Sequence, residues 1–318
     1  MKLSKVYITD YIPNPDIEKE ILNEVLSEDL HNRIEVLLVW HECIDKKYID
    51  QFPKLKGIVR YGVGYDNVDI AYAQSKGIVF CNTPDYGTEE VSDTAIAMIM
   101  NITRGLTRYD YLCRNYTGNT WQENTIHKIK RTSNTVLGVI GAGRIGGSII
   151  TRANALRMQT VFYDPYKDRG YEKMLGSKRV DDIETLLKLS DIVSINTPLT
   201  DETEHMVDER FVAMMKKGSS FINTARGKIV KNIDVFYDPL RCNFLDCLNL
   251  DVLPVEPPGE SKLLTAWKNR EKWLDGRFII NPHVAYFSVE AYAEMRRKAA
   301  ENAKRILDGK KPFNIVSV

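Results

Sequence analysis

Residues 136 to 164 constrain the fold of this chain more than any other stretch. Val136-Leu137-Gly138-Val139-Ile140 is an apolar run of strand length that passes directly into Gly141-Ala142-Gly143-Arg144-Ile145-Gly146, a complete G-x-G-x-x-G followed by a helical pattern. Eighteen positions beyond Gly146 a second apolar run, Thr160-Val161-Phe162-Tyr163, ends in Asp164. Glycines at these places serve a phosphate. Gly141 permits the tight turn, Gly143 lets a pyrophosphate approach the backbone, and Gly146 lets the helix sit close on the strand. Free N–H groups of Arg144 and Ile145 at the helix start would bind phosphate oxygens, aided by the helix dipole. The Asp164 carboxylate can accept both ribose hydroxyls of a dinucleotide and would repel a 2′-phosphate, so NAD is the expected cofactor, with Lys167 and Arg169 near enough in sequence to bear on that preference.

The same alternation runs through the rest of the chain. Before the Gly-rich turn, Val6-Tyr7-Ile8, Ile34 to Val39, Ile58-Val59-Arg60 and Ile78-Val79-Phe80 read as strands. After it, strands are expected at 136–140, 160–164, 191–195, 220–224, 246–251 and 278–281, most of them separated by helices. This is the rhythm of an α/β protein with doubly wound parallel sheets. One helix is expected over 88–111 and another over 288–308, the latter stopped by Gly309 and Pro312. The polar, aperiodic segment 115–134, from Asn115 through Asn119 and Thr120 onward, has the composition of a crossing loop.

Charge excludes several classes of function. The 44 basic and 43 acidic residues are mixed along the sequence and sum to +1, so no basic stripe is available to neutralise a nucleic-acid backbone. The five cysteines (Cys43, Cys81, Cys113, Cys242, Cys247) form no C-x-x-C pair and fit reduced thiols, and neither they nor the five histidines fall into metal-ligand spacing. Met1-Lys2-Leu3-Ser4-Lys5 leads into a strand with no signal or membrane-length apolar run, which reads as a cytoplasmic protein without a membrane partner.

Three polar residues are delivered by later strands. Phe221-Ile222-Asn223-Thr224-Ala225-Arg226-Gly227 brings Arg226 to a carboxyl end, the edge at which parallel sheets bind ligands. Leu250-Asp251-Val252 precedes a Pro-punctuated turn holding Glu256, and Phe278-Ile279-Ile280 leads through Asn281-Pro282 to His283. Singly, these read as a surface cation, a loop ion pair and a satisfied histidine. Together beside a nicotinamide they make a chemical set: Arg226 to bind a carboxylate and polarise the adjacent carbonyl, His283 to donate the proton that balances hydride transfer, and Glu256 to hold the imidazole and favour its charged form.

With Arg60-Tyr61-Gly62-Val63-Gly64-Tyr65-Asp66-Asn67-Val68-Asp69, the G-A-G-R-I-G turn, Asn196-Thr197-Pro198-Leu199-Thr200, Asn223 to Gly227, Asp251 through Pro257 and Asn281-Pro282-His283 in order, the chain resembles the D-isomer-specific 2-hydroxyacid dehydrogenase family over nearly its whole length. Phe162 to Tyr166 and His283 to Glu290 look most like its C-terminal-binding-protein branch, which contains both enzymes and NAD(H)-sensing corepressors. The resemblance implies two Rossmann-like domains, with an NAD-binding domain (102–284) inserted into a flavodoxin-like substrate domain (1–101 and 285–318). It also implies the trio Arg226, Glu256 and His283; Arg60, Val63, Gly64 and Tyr286 near the substrate; and Thr197, Pro198, Thr224, Ala225 and Asp251 around NAD. The activity implied is interconversion of a small 2-keto acid and a D-2-hydroxy acid in a homodimer formed through the long helix and the loop after it.

Two local departures stand out: Lys231 where an acid is common, and Cys242 to Cys247 in place of a Gly-rich approach to the next strand. The main rival reading is an NAD(H)-sensing scaffold with a vestigial site. A formate dehydrogenase is disfavoured by Glu256, where Gln is usual, and a phosphoglycerate dehydrogenase with a regulatory tail by the 35 residues that follow His283. Phosphite oxidation stays open, since it uses a similar trio.

Overall fold

The computed structural model describes residues 5–30, 32–118 and 121–317. The N-terminal residues 1–4 and loop residues Asn119 and Thr120 lie outside the described residues. In chain order the elements are β1 (Val6–Ile8), α1 (Asp16–Leu22), β2 (Leu26–Ser27), β3 (Val36–Val39), α2 (Lys46–Ile49), β4 (Gly57–Arg60), α3 (Ile70–Ser75) and β5 (Val79–Cys81). There follow α4 (Thr88–Arg104), α5 (Leu106–Arg114), β6 (Val136–Ile140), α6 (Arg144–Ala155), β7 (Gln159–Tyr163), α7 (Tyr171–Leu175), β8 (Lys178–Arg179), α8 (Ile183–Leu189) and β9 (Ile192–Ile195). The chain closes with α9 (Glu209–Met214), β10 (Ser219–Asn223), α10 (Tyr237–Arg241), β11 (Leu245–Leu250), α11 (Lys262–Lys268), β12 (Phe278–Ile280) and α12 (Val289–Leu307).

The chain divides into two compact units, one of residues 1–87 with 287–318 and one of residues 88–286. The first unit holds a parallel sheet in the order β2-β1-β3-β4-β5, the flavodoxin-like winding. Its core is Ile34, Leu37, Val39, Ile58 and Phe80, with Ile44, Ile49, Phe52 and Ile70 packed over them.

In the second unit the order is β12-β11-β10-β9-β6-β7-β8, which counted from β6 is the Rossmann order 3-2-1-4-5-6 with one further strand. Its strands are buried on both faces: Phe221 joins one apolar cluster with Leu186, Phe211 and Phe236, while its neighbour Ile222 joins another with Ile99, Ile149 and Phe162. Winding reverses between β6 and β9, which places the Gly141 turn and the Asn196-Thr197 segment at the crevice where such sheets take ligands.

One expectation is corrected. The helix read over 88–111 is broken at Gly105, which takes φ +65° and starts α5. Asn101 stabilises the break by accepting the Thr107 N–H through Oδ1 at 3.0 Å, and a side chain at Gly105 would meet Ile129 at 2.6 Å. The division into two compact units falls before α4. Ala95, Met98, Ile99 and Ile102 on α4 share a core with Ile149, Ile150 and Ala153 of α6, and Arg152 pairs with Asp93 at 2.7 Å, so the whole of α4 goes with the second unit.

Candidate active site

The Gly-rich turn has the geometry its sequence implies. Gly141 sits at φ +87°, and a Cβ there would lie 2.8 Å from the Asn196 carbonyl oxygen. At Gly146 a Cβ would fall 1.9 Å from the Gly141 carbonyl oxygen, so any larger residue would push α6 off β6. Gly143 faces open space, with nothing within 4 Å of a Cβ built on it, and it begins α6 with no side-chain cap, leaving the first N–H groups of the helix to an external acceptor. The Thr197 and Thr224 hydroxyls and Asn196 Oδ1 are buried without a hydrogen-bond partner among the described residues. An anionic ligand with hydroxyl and amide groups satisfies such a set, so these residues fit a dinucleotide.

Asp164, at the end of β7, is only 8% exposed. Its Oδ2 accepts the Ala142 N–H at 2.9 Å and its Oδ1 the Tyr166 N–H at 3.0 Å, which fixes the carboxylate against the turn and leaves one acceptor site on each oxygen for a ribose. Arg179 holds the following loop by donating to the carbonyls of Asp164, Lys167 and Asp168. Both nearby cations are engaged elsewhere. Lys167 lies over the Tyr171 ring at 5.2 Å, and Arg169 faces Asp181 at 3.9 Å.

The trio expected from the sequence comes from the ends of β10, β11 and β12 in the second unit. After β12, His283 occupies the left-handed region at φ +57°, a conformation uncommon for a residue with a side chain. Asp251 holds it there: its carbonyl accepts the His283 N–H at 2.8 Å, and its Oδ1 accepts the N–H groups of Val284 and Ala285, each at 3.0 Å. Burial raises the Asp251 carboxyl above its ordinary range, against those hydrogen bonds and the nearby imidazole. The sequence points to Asp251 only as a cofactor neighbour; its grip on the histidine loop, 32 positions away, has no sequence signal.

Glu256 Oε2 stands 2.8 Å from His283 Nδ1, and its Oε1 accepts the Leu253 N–H at 2.7 Å. Burial works against ionisation of Glu256, yet the bonds from His283 and Leu253 and the charges of His283 and Arg226 outweigh it and hold the carboxyl below its ordinary value. An ionised carboxylate has no proton to give, so Nδ1 is the donor and Nε2 is the nitrogen left for chemistry.

Arg226 follows β10, where Asn223, fully buried, accepts the Ala225 N–H at 2.9 Å and donates to the Arg226 carbonyl at 2.9 Å. Arg226 NH1 donates to the Ala225 carbonyl at 2.8 Å. Gly227 makes the arrangement possible, because a Cβ there would lie 1.8 Å from the Leu253 carbonyl oxygen. Of the two departures, Lys231 pairs with Glu209 at 3.2 Å, and Cys247 is buried in β11 with its thiol pushed up to about 12 by burial.

Arg60, Val63 and Gly64 belong to the first unit, at the carboxyl end of β4. Arg60 Nε donates to Asn67 Oδ1 at 3.2 Å, Asn67 in turn donates to the carbonyls of Trp40 and Glu42, and the Val63 carbonyl accepts from Asn82 at 2.7 Å. Gly62, at φ +119°, donates its N–H to Thr83 Oγ1 at 2.7 Å. Tyr286 is half-buried at the end of the second unit. Among the described residues there is no cluster able to hold a metal ion and no helix long and apolar enough to cross a membrane.

Comparison with known proteins places the chain among its relatives. Residues 96–285 match the family model described as "D-isomer specific 2-hydroxyacid dehydrogenase, NAD binding domain". A glyoxylate reductase of Thermofilum pendens is 30% identical, over 100% of this chain and 95% of that protein. A D-3-phosphoglycerate dehydrogenase of Methanocaldococcus jannaschii is also 30% identical, over 99% of this chain but 59% of its own longer length. Among solved structures, the D-lactate dehydrogenase of Aquifex aeolicus, in complex with NAD and lactic acid, superimposes with a TM-score of 0.85 at 26% identity, covering 98% of each chain.

Proposed function

Because the chain belongs to the D-isomer-specific 2-hydroxyacid dehydrogenase family and is an NAD-dependent enzyme of that class, we propose that it interconverts a small 2-keto acid and the corresponding D-2-hydroxy acid, with Arg226, Glu256 and His283 as its catalytic residues. The observation that carries this reading is the 2.8 Å contact of Glu256 with His283 Nδ1, beside Arg226. NAD, when bound, supplies or takes the hydride. Gly141, Gly143, Gly146 and the N–H groups of Arg144 and Ile145 would hold its pyrophosphate, Asp164 its ribose, and Thr197, Pro198, Thr224, Ala225 and Asp251 the remainder.

In reduction, the Arg226 guanidinium binds the substrate carboxylate and draws charge from the adjacent carbonyl. His283 gives a proton from Nε2 to the carbonyl oxygen, and Glu256 stabilises the imidazolium before transfer and fixes the ring afterwards. Arg60, Val63 and Gly64 offer a cation and backbone N–H groups to the substrate carboxylate, Tyr286 a wall to its side chain, and the first unit serves as the substrate domain. The protein is read as a homodimer formed through the long arm of α4 and α5 and the loop after it, where Leu106 (62% exposed) and Trp121 (58%) are apolar and solvent-facing.

A panel of 2-keto acids with NADH consumption as readout tests the proposal: turnover of at least one is expected. Tight NADH binding with silence across the panel would favour the sensing scaffold instead. Cofactor choice gives an independent check. With the Asp164 carboxylate held against the Gly-rich turn and Lys167 and Arg169 engaged elsewhere, NADH is expected to bind at least about tenfold tighter than NADPH, the scale set by a charge repelled in a part-buried site. Comparable affinities in a fluorescence titration would refute that role for Asp164.

A further inference from the structure

The second unit carries a cationic cavity that the dehydrogenase reaction does not use. It has a volume of about 780 Å³, and its lining includes Arg104, Lys130, Arg131, Arg157, Thr132 and Ser133 with no acidic side chain. These residues come from three places: the end of α4, the segment leading into β6, and the residues just after α6. They therefore lie at the amino edge of the sheet. The 12 residues of α6, about 18 Å of helix, separate Arg157 from the Gly143 turn at the carboxyl edge.

The cations are not there to neutralise the protein's own acids. Only Lys130 has an acidic partner, Asp191 at 2.9 Å, and Asp191 is shared with Lys216 at 2.8 Å. Arg104, Arg131 and Arg157 form no ion pair with any described residue. In a chain whose 44 cations are nearly matched by 43 acids, three exposed guanidinium groups without an ion partner face one open groove, and their mutual repulsion, screened by solvent, is relieved by an anion placed among them. The favourable field at a helix C-terminus accounts for Arg104 and in part for Arg157, but not for Arg131, which lies outside any α-helix.

Arg157 adds a second observation. It closes α6 at φ +62°, a position that favours glycine, with its N–H on the Asn154 carbonyl at 2.8 Å and the Met158 N–H on the Ala153 carbonyl at 3.0 Å. A glycine would make the same cap without strain, so the guanidinium is the part of this residue that the cap does not need.

We infer that this cavity binds a phosphate-bearing small molecule of at least two negative charges, at a site separate from the dinucleotide. Guanidinium groups bind phosphate oxygens in pairs, and the Thr132 and Ser133 hydroxyls supply additional donors. The inference does not depend on which keto acid the enzyme reduces.

Inorganic pyrophosphate, titrated calorimetrically into protein saturated with NADH at constant ionic strength, is the test. Saturable binding is expected, together with weakening of about two- to fivefold in Arg157→Gly and in Arg131→Ala, the scale of one charged contact removed from an exposed site. Arg157→Gly should retain or raise the melting temperature, since glycine suits the cap; a purely structural role for Arg157 would lower the melting temperature and leave pyrophosphate binding alone. Displacement of pyrophosphate by NADH would assign it to the Gly143 turn and overturn the inference. So would equal binding by the variants, or binding no stronger than that of chloride.

Discussion

His283→Ala is expected to lower keto-acid reduction by about 10²- to 10⁴-fold, the contribution of a positioned general acid, while NADH affinity stays unchanged. The separation follows from the geometry. His283 ends β12 on a loop held by Asp251, whereas the phosphate turn follows β6, and no hydrogen bond joins the His283 side chain to Gly141, Gly143 or Gly146. Steady-state kinetics paired with a fluorescence titration gives both numbers, and equal activity in the variant would remove His283 from the mechanism. Glu256→Gln refines the point. The neutral amide can still accept from Nδ1 but no longer stabilises a positive imidazole, so kcat should fall, though less than in His283→Ala. An unchanged kcat would mean that Glu256 orients the ring without acting through its charge.

The largest stability effect is expected in the first unit, at Arg296 on α12. Glu18 is fully buried on α1, and Arg296 donates to it from Nε at 3.0 Å and from NH2 at 2.6 Å, while Tyr61 donates its hydroxyl to Glu18 Oε1 at 2.9 Å. NH2 also reaches Asp16 and the Asn14 carbonyl, each at 2.7 Å. Burial and then the Glu18 carboxylate push the Tyr61 phenol well above its ordinary value, so it remains a donor. Arg296→Ala leaves the Glu18 charge buried without its main partner and should cost about 3–5 kcal/mol, a large share of the roughly 5–15 kcal/mol that holds a domain together.

Replacing both charges separates the penalty of an orphaned ion from the worth of the pair. Glu18→Gln with Arg296→Met keeps an acceptor for Tyr61 and fills the space with apolar volume, and should recover much of the loss. Urea unfolding followed in both variants decides it; equal destabilisation would show that packing, and not the uncompensated charge, governs the site. Tyr61 directly follows Arg60, so the cluster also anchors the end of β4, from which the proposed substrate residues extend.

What could be read from the sequence was local. The β6-α6-β7 unit, the tight turn at Gly141, the close approach at Gly146, and the strand ends that deliver Arg226 and His283 follow from apolar periodicity and turn chemistry within a few residues of each other. Main-chain sterics act over that range, so local sequence suffices. Even there, Gly105 shows the limit: one glycine in a helical pattern is compatible with continuation or with a break, and the choice rests on Asn101 and on Ile129, 24 positions away.

Tertiary structure alone decided which of these ends meet and how they are held. The Glu256–His283 contact spans 27 positions, the Asp251 grip on Ala285 spans 34, and Glu18 and Arg296 are 278 positions apart. Gly227 is obligatory only because Leu253 passes beside it, and the cationic cavity exists only because two helix ends and one loop converge. A sequence motif carries residue types in order, but hydrogen bonds and charges act through space, and in a doubly wound sheet the spatial neighbours are set by strand order.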